Sequence, residues 1–128
     1  VDIPGTGFSV GVDRLLFAIL QLGQIKVDDQ RPAIVCVMDK KYLKDYYGIL
    51  KILRDNGINS EIFLDSAKNL GKQLTYANKR GCPVAVICGE NEFKENTVTL
   101  KNLLGAKGEN NQITIPKENL INEIKKFI

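Results

Sequence analysis

Apolar residues along this chain form short continuous runs that are separated by segments with a helical repeat. The runs AIVCVM (33–38) and PVAVIC (83–88) are almost wholly apolar, which is typical of strands buried on both faces. A third run, INSEIFL (58–64), lies between them and also predicts a strand. Two segments between these runs repeat apolar residues every three or four positions, which predicts helices that bury one face.

The predicted helices have recognisable ends. Asp39 is a candidate N-cap for the first helix, and Gly57 follows its last turn. The second helix is predicted to run from Ser66, as its cap, to Arg80, and to stop at Gly81. The residues expected to face inward are Leu43, Tyr46, Tyr47, Leu50 and Leu53 in the first helix and Leu70, Leu74 and Ala77 in the second.

Two further strands, NTVTLKNL (96–103) and NQITI (111–115), and a last helix opened by Pro116 complete the pattern. The apolar face of that helix would carry Leu120, Ile121, Ile124 and Phe127. An alternation of strands and helices favours parallel strands joined by right-handed crossovers. We therefore predict a three-layer α/β domain over residues 33–128, a linker at 25–32, and a separate segment at 1–24.

The segment 1–24 contains GTGFSVGVDRLLFAIL, a glycine-led helix that is apolar on most of its circumference. Such a helix must be covered on several sides. We expect it to come from the interior of a larger domain, so that the chain is a piece of a longer protein. Asp13 and Arg14 would then face a pocket, because a buried unpaired guanidinium is prohibitive. Alternatively, the helix packs on the sheet and Arg14 extends to solvent.

The composition excludes several kinds of site. The chain has three cysteines and no histidine, so a zinc site and a histidine-based catalytic triad are not expected, and we predict no metal site. Cys36, Cys82 and Cys88 have apolar neighbours, which predicts that they are reduced thiols in the core of a cytoplasmic protein. No apolar stretch is long enough to cross a bilayer, and no membrane partner is expected.

The net charge of +3 is modest but unevenly distributed. Residues 66–81 include Lys68, Lys72, Lys79 and Arg80 and no acidic residue. A basic helix face of this kind could meet a phosphate backbone. An ordinary solvated helix face is the alternative.

Two stretches of the chain carry a family resemblance. GTGFSVGVDRLLFAIL resembles the third signature motif of class II aminoacyl-tRNA synthetases, in which a glycine-rich strand leads into a helix bearing an arginine. The pieces KQLTYANKRG, VAVICGENE and TVTLKNL, followed by Gln112, are similar to the C-terminal anticodon-binding domain of histidyl-tRNA synthetases. The resemblance implies a mixed five-stranded sheet with flanking helices, preceded by the motif 3 strand and helix.

The motif 3 resemblance implies roles in ATP binding. The family's arginine contacts the γ-phosphate of ATP, and the matching residue is Arg14. Gly7 and Gly11 would let the turn pass close to the nucleotide, and Asp13 would orient its neighbours. The longer enzyme would use ATP with magnesium, bind histidine and form a homodimer. Because one motif forms only one wall of that site, we expect the chain alone to be inactive.

The anticodon-domain resemblance implies a second set of contacts. In related domains these come from positions that match Lys68, Glu92 and Lys101, and Lys72 would assist by binding phosphate. Glu92 can accept hydrogen bonds from the N1–H and N2 amino groups of guanine, which the histidine anticodon carries at its first and third positions. Glu90 is the other candidate for this contact. The alternatives are helix capping for Glu92 and plain solvation for the lysines.

Three other interpretations remain open. One is a synthetase-like regulatory paralogue, and another is a class II synthetase for threonine, proline or glycine. The third is a small α/β nucleotide-binding module, which would place its ligand at the carboxyl ends of the parallel strands, near Asp39, Asp65 and Gly89.

Overall fold

Five strands form one mixed sheet in the order β2-β1-β3-β4-β5 in the computed structural model, which describes residues 2–23, 25, 31–65, 69–105 and 111–128. The first three strands are parallel, whereas β4 runs antiparallel to both β3 and β5. The carboxyl ends of β1, β2 and β3 therefore lie together at one edge of the sheet. The strands are β1 (Ala33–Val37), β2 (Ser60–Ile62), β3 (Val84–Cys88), β4 (Thr97–Asn102) and β5 (Gln112–Pro116).

Helices cover both faces of this sheet. On one face α2 and α5 pack against Val35, Val86 and Leu100, and on the other α3 packs against Ile34 and Ala85. The predicted three-layer α/β architecture with a mixed five-stranded sheet is confirmed. The helices are α1 (Val12–Gln21), α2 (Leu43–Asp55), α3 (Leu70–Arg80), α4 (Glu90–Glu95) and α5 (Leu120–Ile124).

Most of the predicted helix ends are confirmed. The Asp39 carboxylate accepts a hydrogen bond of 2.9 Å from the backbone N–H of Lys41 and caps the short helical turn before α2. Gly57 and Gly81 end α2 and α3 with φ angles of 73° and 74°, in the left-handed region that favours glycine.

The predicted start of α3 at Ser66 is wrong. Ser66 lies outside the described residues, but Asn69 has extended backbone with ψ 164°, so α3 begins at Leu70. The Asn69 side chain accepts from the backbone N–H of Lys72 at 3.1 Å. Asparagine is as good an N-cap as serine.

The inward face of α2 differs in part from its prediction. Tyr46, Leu50 and Leu53 are buried as expected, and Ile49 is buried with them. Leu43 and Tyr47 are instead 39% and 48% exposed. These two residues are i,i+4 neighbours on one flank of the helix, and only the stripe beside them faces the sheet.

Two buried polar side chains of helices form hydrogen bonds with the backbone at strand ends. Tyr46 Oη donates to the Cys88 carbonyl oxygen at 2.6 Å and accepts from the Met38 N–H at 3.1 Å. The Gln73 amide donates to the Val37 carbonyl at 2.7 Å and accepts from the Val37 N–H at 2.9 Å. The β1–β2 register ends at Val35, so Gln73 takes the place of a strand neighbour for the end of β1.

All three cysteines are free and buried, as predicted. Burial raises the pKa of Cys36 and of Cys88 to about 12 and also raises that of Cys82. The thiols therefore stay protonated at neutral pH and act as small apolar core groups. Within the described part of the chain, no group of three cysteine, aspartate or glutamate side chains lies close enough to hold a metal ion.

The N-terminal segment keeps its apolar surface exposed. No residue of α1 is buried, so the helix does not pack on the sheet as the alternative interpretation required. Phe8 and Phe17 are 94% and 64% exposed. The strand expected before α1 is not formed in residues 2–11, because a strand needs a neighbour to pair with and no described strand pairs with this segment. None of the described helices is long and apolar enough to span a membrane.

Candidate nucleic-acid interface

One half of the sheet carries polar side chains on the face that α3 packs against. Thr99 lies opposite Ile87 and Lys101 opposite Ala85, and both apolar partners belong to the α3 cluster. Side chains of directly opposed residues share a face, so Thr99, Lys101 and their β5 neighbours lie on the same side as α3. We call the four residues Thr99, Lys101, Gln112 and Thr114 the polar face.

The polar face results from strict alternation in two neighbouring strands. Residues of β4 point alternately to the two faces, so Val98 and Leu100 enter the core beneath α2 and α5. Gln112 and Thr114 are exposed, Lys101 is partly exposed, and Thr99 is buried. Thr99 and Thr114 were missed as site residues. Their signal was the alternation TVTLK and QITI, but the pairing of the two strands was needed to bring these hydroxyls together.

Glu92 borders the polar face from α4, a helix that the sequence pattern did not resolve as an element. Its Oε2 accepts from the Gly89 backbone N–H at 2.9 Å, and its Oε1 lies 3.5 Å from Thr99 Oγ1. The capping role that was the alternative for Glu92 is thus observed. The same contacts hold the partly exposed carboxylate at the end of the polar face, because Thr99 is one of its partners.

Glu90 has different partners. Its carboxylate lies 3.1 Å from Lys94 Nζ and 3.5 Å from Lys41 Nζ. The hydrogen bond from Lys94 and the charge of Lys41 lower the pKa of Glu90. Of the two acidic candidates, Glu92 contacts the polar face through Thr99, whereas Glu90 pairs with lysines, so Glu92 is the better placed to meet a ligand there.

The predicted basic residues are spread over two elements. Lys101 lies within the polar face, between Ala85 of β3 and Gln112 of β5. Lys72 is exposed in the first turn of α3. Lys68 lies outside the described residues. At the other end of α3, Arg80 Nε lies 3.6 Å from Glu61 Oε2, so part of the basic stretch serves an ion pair on the β2 side.

The residues predicted to bind ATP lie in and before the first turn of α1. Asp13 and Arg14 are exposed. A Cβ atom added at Gly7 would meet nothing within 4 Å, and one at Gly11 would touch only Arg14, at 3.8 Å. These residues present an exposed guanidinium and an open glycine backbone.

The groups at the carboxyl ends of the parallel strands are poorly suited to bind a nucleotide phosphate. The Gly89 N–H is taken by Glu92, and the Asp39 carboxylate caps the turn before α2 and lies 3.6 Å from Lys41 Nζ. A phosphate at this edge would have to displace an acidic side chain from the Gly89 backbone. The geometry therefore disfavours the interpretation as a small nucleotide-binding module.

Comparisons with known proteins agree with the fold. A family model described as "Anticodon binding domain" matches residues 32–127. The chain is 81% identical over 128 residues to a histidine–tRNA ligase of Pelagibacter ubique, matching all of this chain and 28% of that protein. It thus spans roughly a quarter of that relative's length.

Two solved structures are similar to this fold. The crystal structure of histidyl-tRNA synthetase from Nostoc sp. PCC 7120 has a TM-score of 0.68 and 28% identity, and the match covers 91% of this chain and 28% of that chain. The RNA binding domain of threonyl-tRNA synthetase from Cryptosporidium parvum has a TM-score of 0.67 at 19% identity, with 91% of this chain and 29% of that chain covered. The second likeness concerns the fold alone.

Proposed function

The chain belongs to the anticodon-binding domain family, and we propose that it recognises the anticodon of the histidine tRNA as part of a histidine–tRNA ligase acting in the cytoplasm. The observation that carries this proposal is the polar face, a row of four polar side chains, three of them exposed or partly exposed, on a sheet whose opposite face is core. It lies on the same side of the sheet as the basic helix α3.

Such a surface suits a single-stranded loop. Unstacked bases offer their edges to side-chain donors and acceptors, while lysines hold the backbone phosphates. In this arrangement Lys101 and Gln112 meet base or ribose groups, and Lys72 meets phosphates from α3. Lys68, which precedes α3 in the sequence, is the other candidate for a phosphate contact. Glu92 accepts from a guanine edge with whichever carboxylate lone pairs its cap leaves available, and Glu90 serves as the secondary candidate.

A titration with the histidine tRNA anticodon stem-loop tests this proposal. Wild-type protein is expected to bind the cognate loop more tightly than a loop with adenine in place of guanine. Lys72→Ala should weaken binding to both loops equally and reduce the salt slope by about one unit or less, because a phosphate contact carries no sequence information.

The matched control for this titration is Lys51→Ala, which removes the same charge from α2 on the opposite side of the sheet. It should leave the affinity and the salt slope nearly unchanged. Equal weakening by the two variants would show that only the net charge attracts RNA, and it would contradict an interface on the α3 side.

For the longer protein we propose histidine-dependent ATP chemistry in a homodimer. Arg14 would contact the triphosphate as a permanently charged cation, and Asp13 would orient the neighbouring groups. Gly7 and Gly11 would leave room for the nucleotide. ATP with magnesium would supply the adenylyl group that activates the histidine carboxylate, with pyrophosphate as the leaving group. The exposed position of Arg14 on α1 is compatible with such a contact.

In the longer protein, Arg14→Ala is expected to slow histidine-dependent ATP–pyrophosphate exchange by about tenfold to a hundredfold, the value of a lost charged hydrogen bond. Affinity for the anticodon loop should not change, because α1 lies outside the residues matched by the anticodon-binding model. Unchanged exchange with Arg14→Ala would remove this residue from the proposed ATP site.

A further inference from the structure

Two side chains of the polar face and the bordering Glu92 form a row of oxygen atoms. Thr114 Oγ1 lies 2.8 Å from Thr99 Oγ1, which lies 3.5 Å from Glu92 Oε1. The other carboxylate oxygen of Glu92 is held by the Gly89 N–H at 2.9 Å. Thr99 is 2% exposed and Thr114 is exposed, so of the two threonine hydroxyls Thr114 is the one that a ligand can reach.

The hydroxyl protons of Thr99 and Thr114 have one arrangement that makes both of these contacts hydrogen bonds. A carboxylate can only accept, so the contact between Thr99 and Glu92 is a hydrogen bond only if Thr99 donates. Thr99 has one hydroxyl proton, and Thr114 must then donate in the shorter contact of 2.8 Å. The reverse arrangement would leave a lone pair of Thr99 facing the carboxylate and would lose one of the two bonds.

We infer that Thr114 is a specificity-determining residue that offers RNA only a hydrogen-bond acceptor, because Glu92 and Thr99 hold its proton inward. Thr99 is a positioning residue, because it fixes the direction of the Thr114 hydroxyl proton. The inference rests on the proposed function, since it concerns the same face. It adds a contact at Thr114 whose polarity is set by the buried Thr99 and by Glu92.

An acceptor of this kind selects among the groups of a nucleotide. Phosphate oxygens and base carbonyls also accept and are not recognised, so Thr114 does not bind the backbone phosphates that lysines bind. The groups that fit are hydrogen-bond donors, namely a ribose 2′-hydroxyl or an N–H group on a base edge. Both groups donate a hydrogen bond, and anticodon loops modified at one group or the other distinguish them.

The first experiment compares Thr114→Val with Thr114→Ser on the histidine tRNA anticodon stem-loop. The valine variant keeps the β-branched shape and loses the acceptor, and it should bind about tenfold more weakly. The serine variant should bind within about twofold of wild type, since it keeps the hydroxyl. Both changes lie at an exposed position, and thermal melting checks that the fold is retained.

Single-position loop variants identify the donor. At one nucleotide, either a 2′-deoxy substitution or inosine in place of guanine should weaken wild-type binding and add nothing to Thr114→Val. A deoxy effect assigns the ribose hydroxyl, and an inosine effect assigns the N2 amino group of guanine. Weakening by Thr114→Val that is the same for every modified loop would overturn the inference.

The Glu92→Gln variant tests the proton direction itself. Its amide oxygen can keep the Gly89 cap, which leaves the NH₂ group to donate to Thr99 and reverses both hydrogen bonds, so that Thr114 presents a proton outward. In this background Thr114→Val should cost no measurable affinity for the cognate loop. An undiminished tenfold cost would show that Thr114 acts independently of Glu92 and would overturn the inference.

The outcomes separate this inference from the proposed function. Wild-type protein that binds no anticodon loop would overturn both. Wild-type binding that distinguishes guanine from adenine, together with Thr114→Val binding as tightly as wild type, would overturn only the role of Thr114. Thr99→Val provides a further readout, because it should weaken discrimination between the unmodified loop and the loop that lacks the donor, even though Thr99 is buried.

Discussion

Replacing Gln73 by leucine is expected to lower the free energy of unfolding by about 2–6 kcal/mol. The change keeps a similar volume but removes both hydrogen bonds to Val37, of 2.7 Å and 2.9 Å. Gln73 and Val37 are fully or almost fully buried, so water cannot replace the lost partner. Each buried backbone group left unpaired costs about 1–3 kcal/mol, and here there are two.

Urea unfolding followed by circular dichroism measures this effect, with thermal melting as a second probe. The melting temperature should fall by more than about 10 °C in a domain of this size. Gln112→Leu is the matched control, because this glutamine lies exposed on β5 and its loss should change stability by less than about 0.5 kcal/mol. A loss below about 1 kcal/mol for Gln73→Leu would mean that the end of β1 finds another partner.

Tyr46→Phe is expected to cost about 1–3 kcal/mol by removing one hydroxyl. That hydroxyl donates to the buried Cys88 carbonyl at 2.6 Å and accepts from the Met38 N–H at 3.1 Å. Burial raises the pKa of Tyr46, so it stays a neutral donor at physiological pH. The carbonyl of Cys88 would be left buried without this donor, whereas the half-exposed Met38 is nearer to water.

The neighbouring Tyr47→Phe supplies the control in the same helix. Tyr47 is 48% exposed, and its hydroxyl can exchange protein contacts for water at little cost. The comparison of the two variants by urea unfolding isolates the buried hydroxyl, because the chemical change is identical. Equal stabilities for the two variants would show that Tyr46 contributes only its ring to the core.

The type and order of most elements could be predicted from local pattern alone. The runs 33–38 and 83–88 are apolar without interruption because their strands are buried on both faces. Gly57 and Gly81 mark helix ends because the left-handed backbone there favours glycine. These features depend on neighbours along the chain, so they are visible before the fold is known.

The helix faces were less predictable. Leu43 and Tyr47 fit a helical repeat as well as Ile49 does, and only the position of the sheet decides which side is buried. Gln73 is polar and was not assigned to the core, yet the missing neighbour at the end of β1 makes its burial favourable. Helix α4 is only six residues long, too short for a periodic signal.

The sequence by itself determined the α/β class, the apolar strands and the basic stretch at α3, and through resemblance it made Glu92 and Lys101 candidate site residues. Only the tertiary structure decided that Thr99, Thr114 and Glu92 meet, because their contacts join residues of three different elements, α4, β4 and β5. Local pattern reports which residues prefer burial or exposure. The register between strands decides which polar groups become neighbours, and therefore what the surface can recognise.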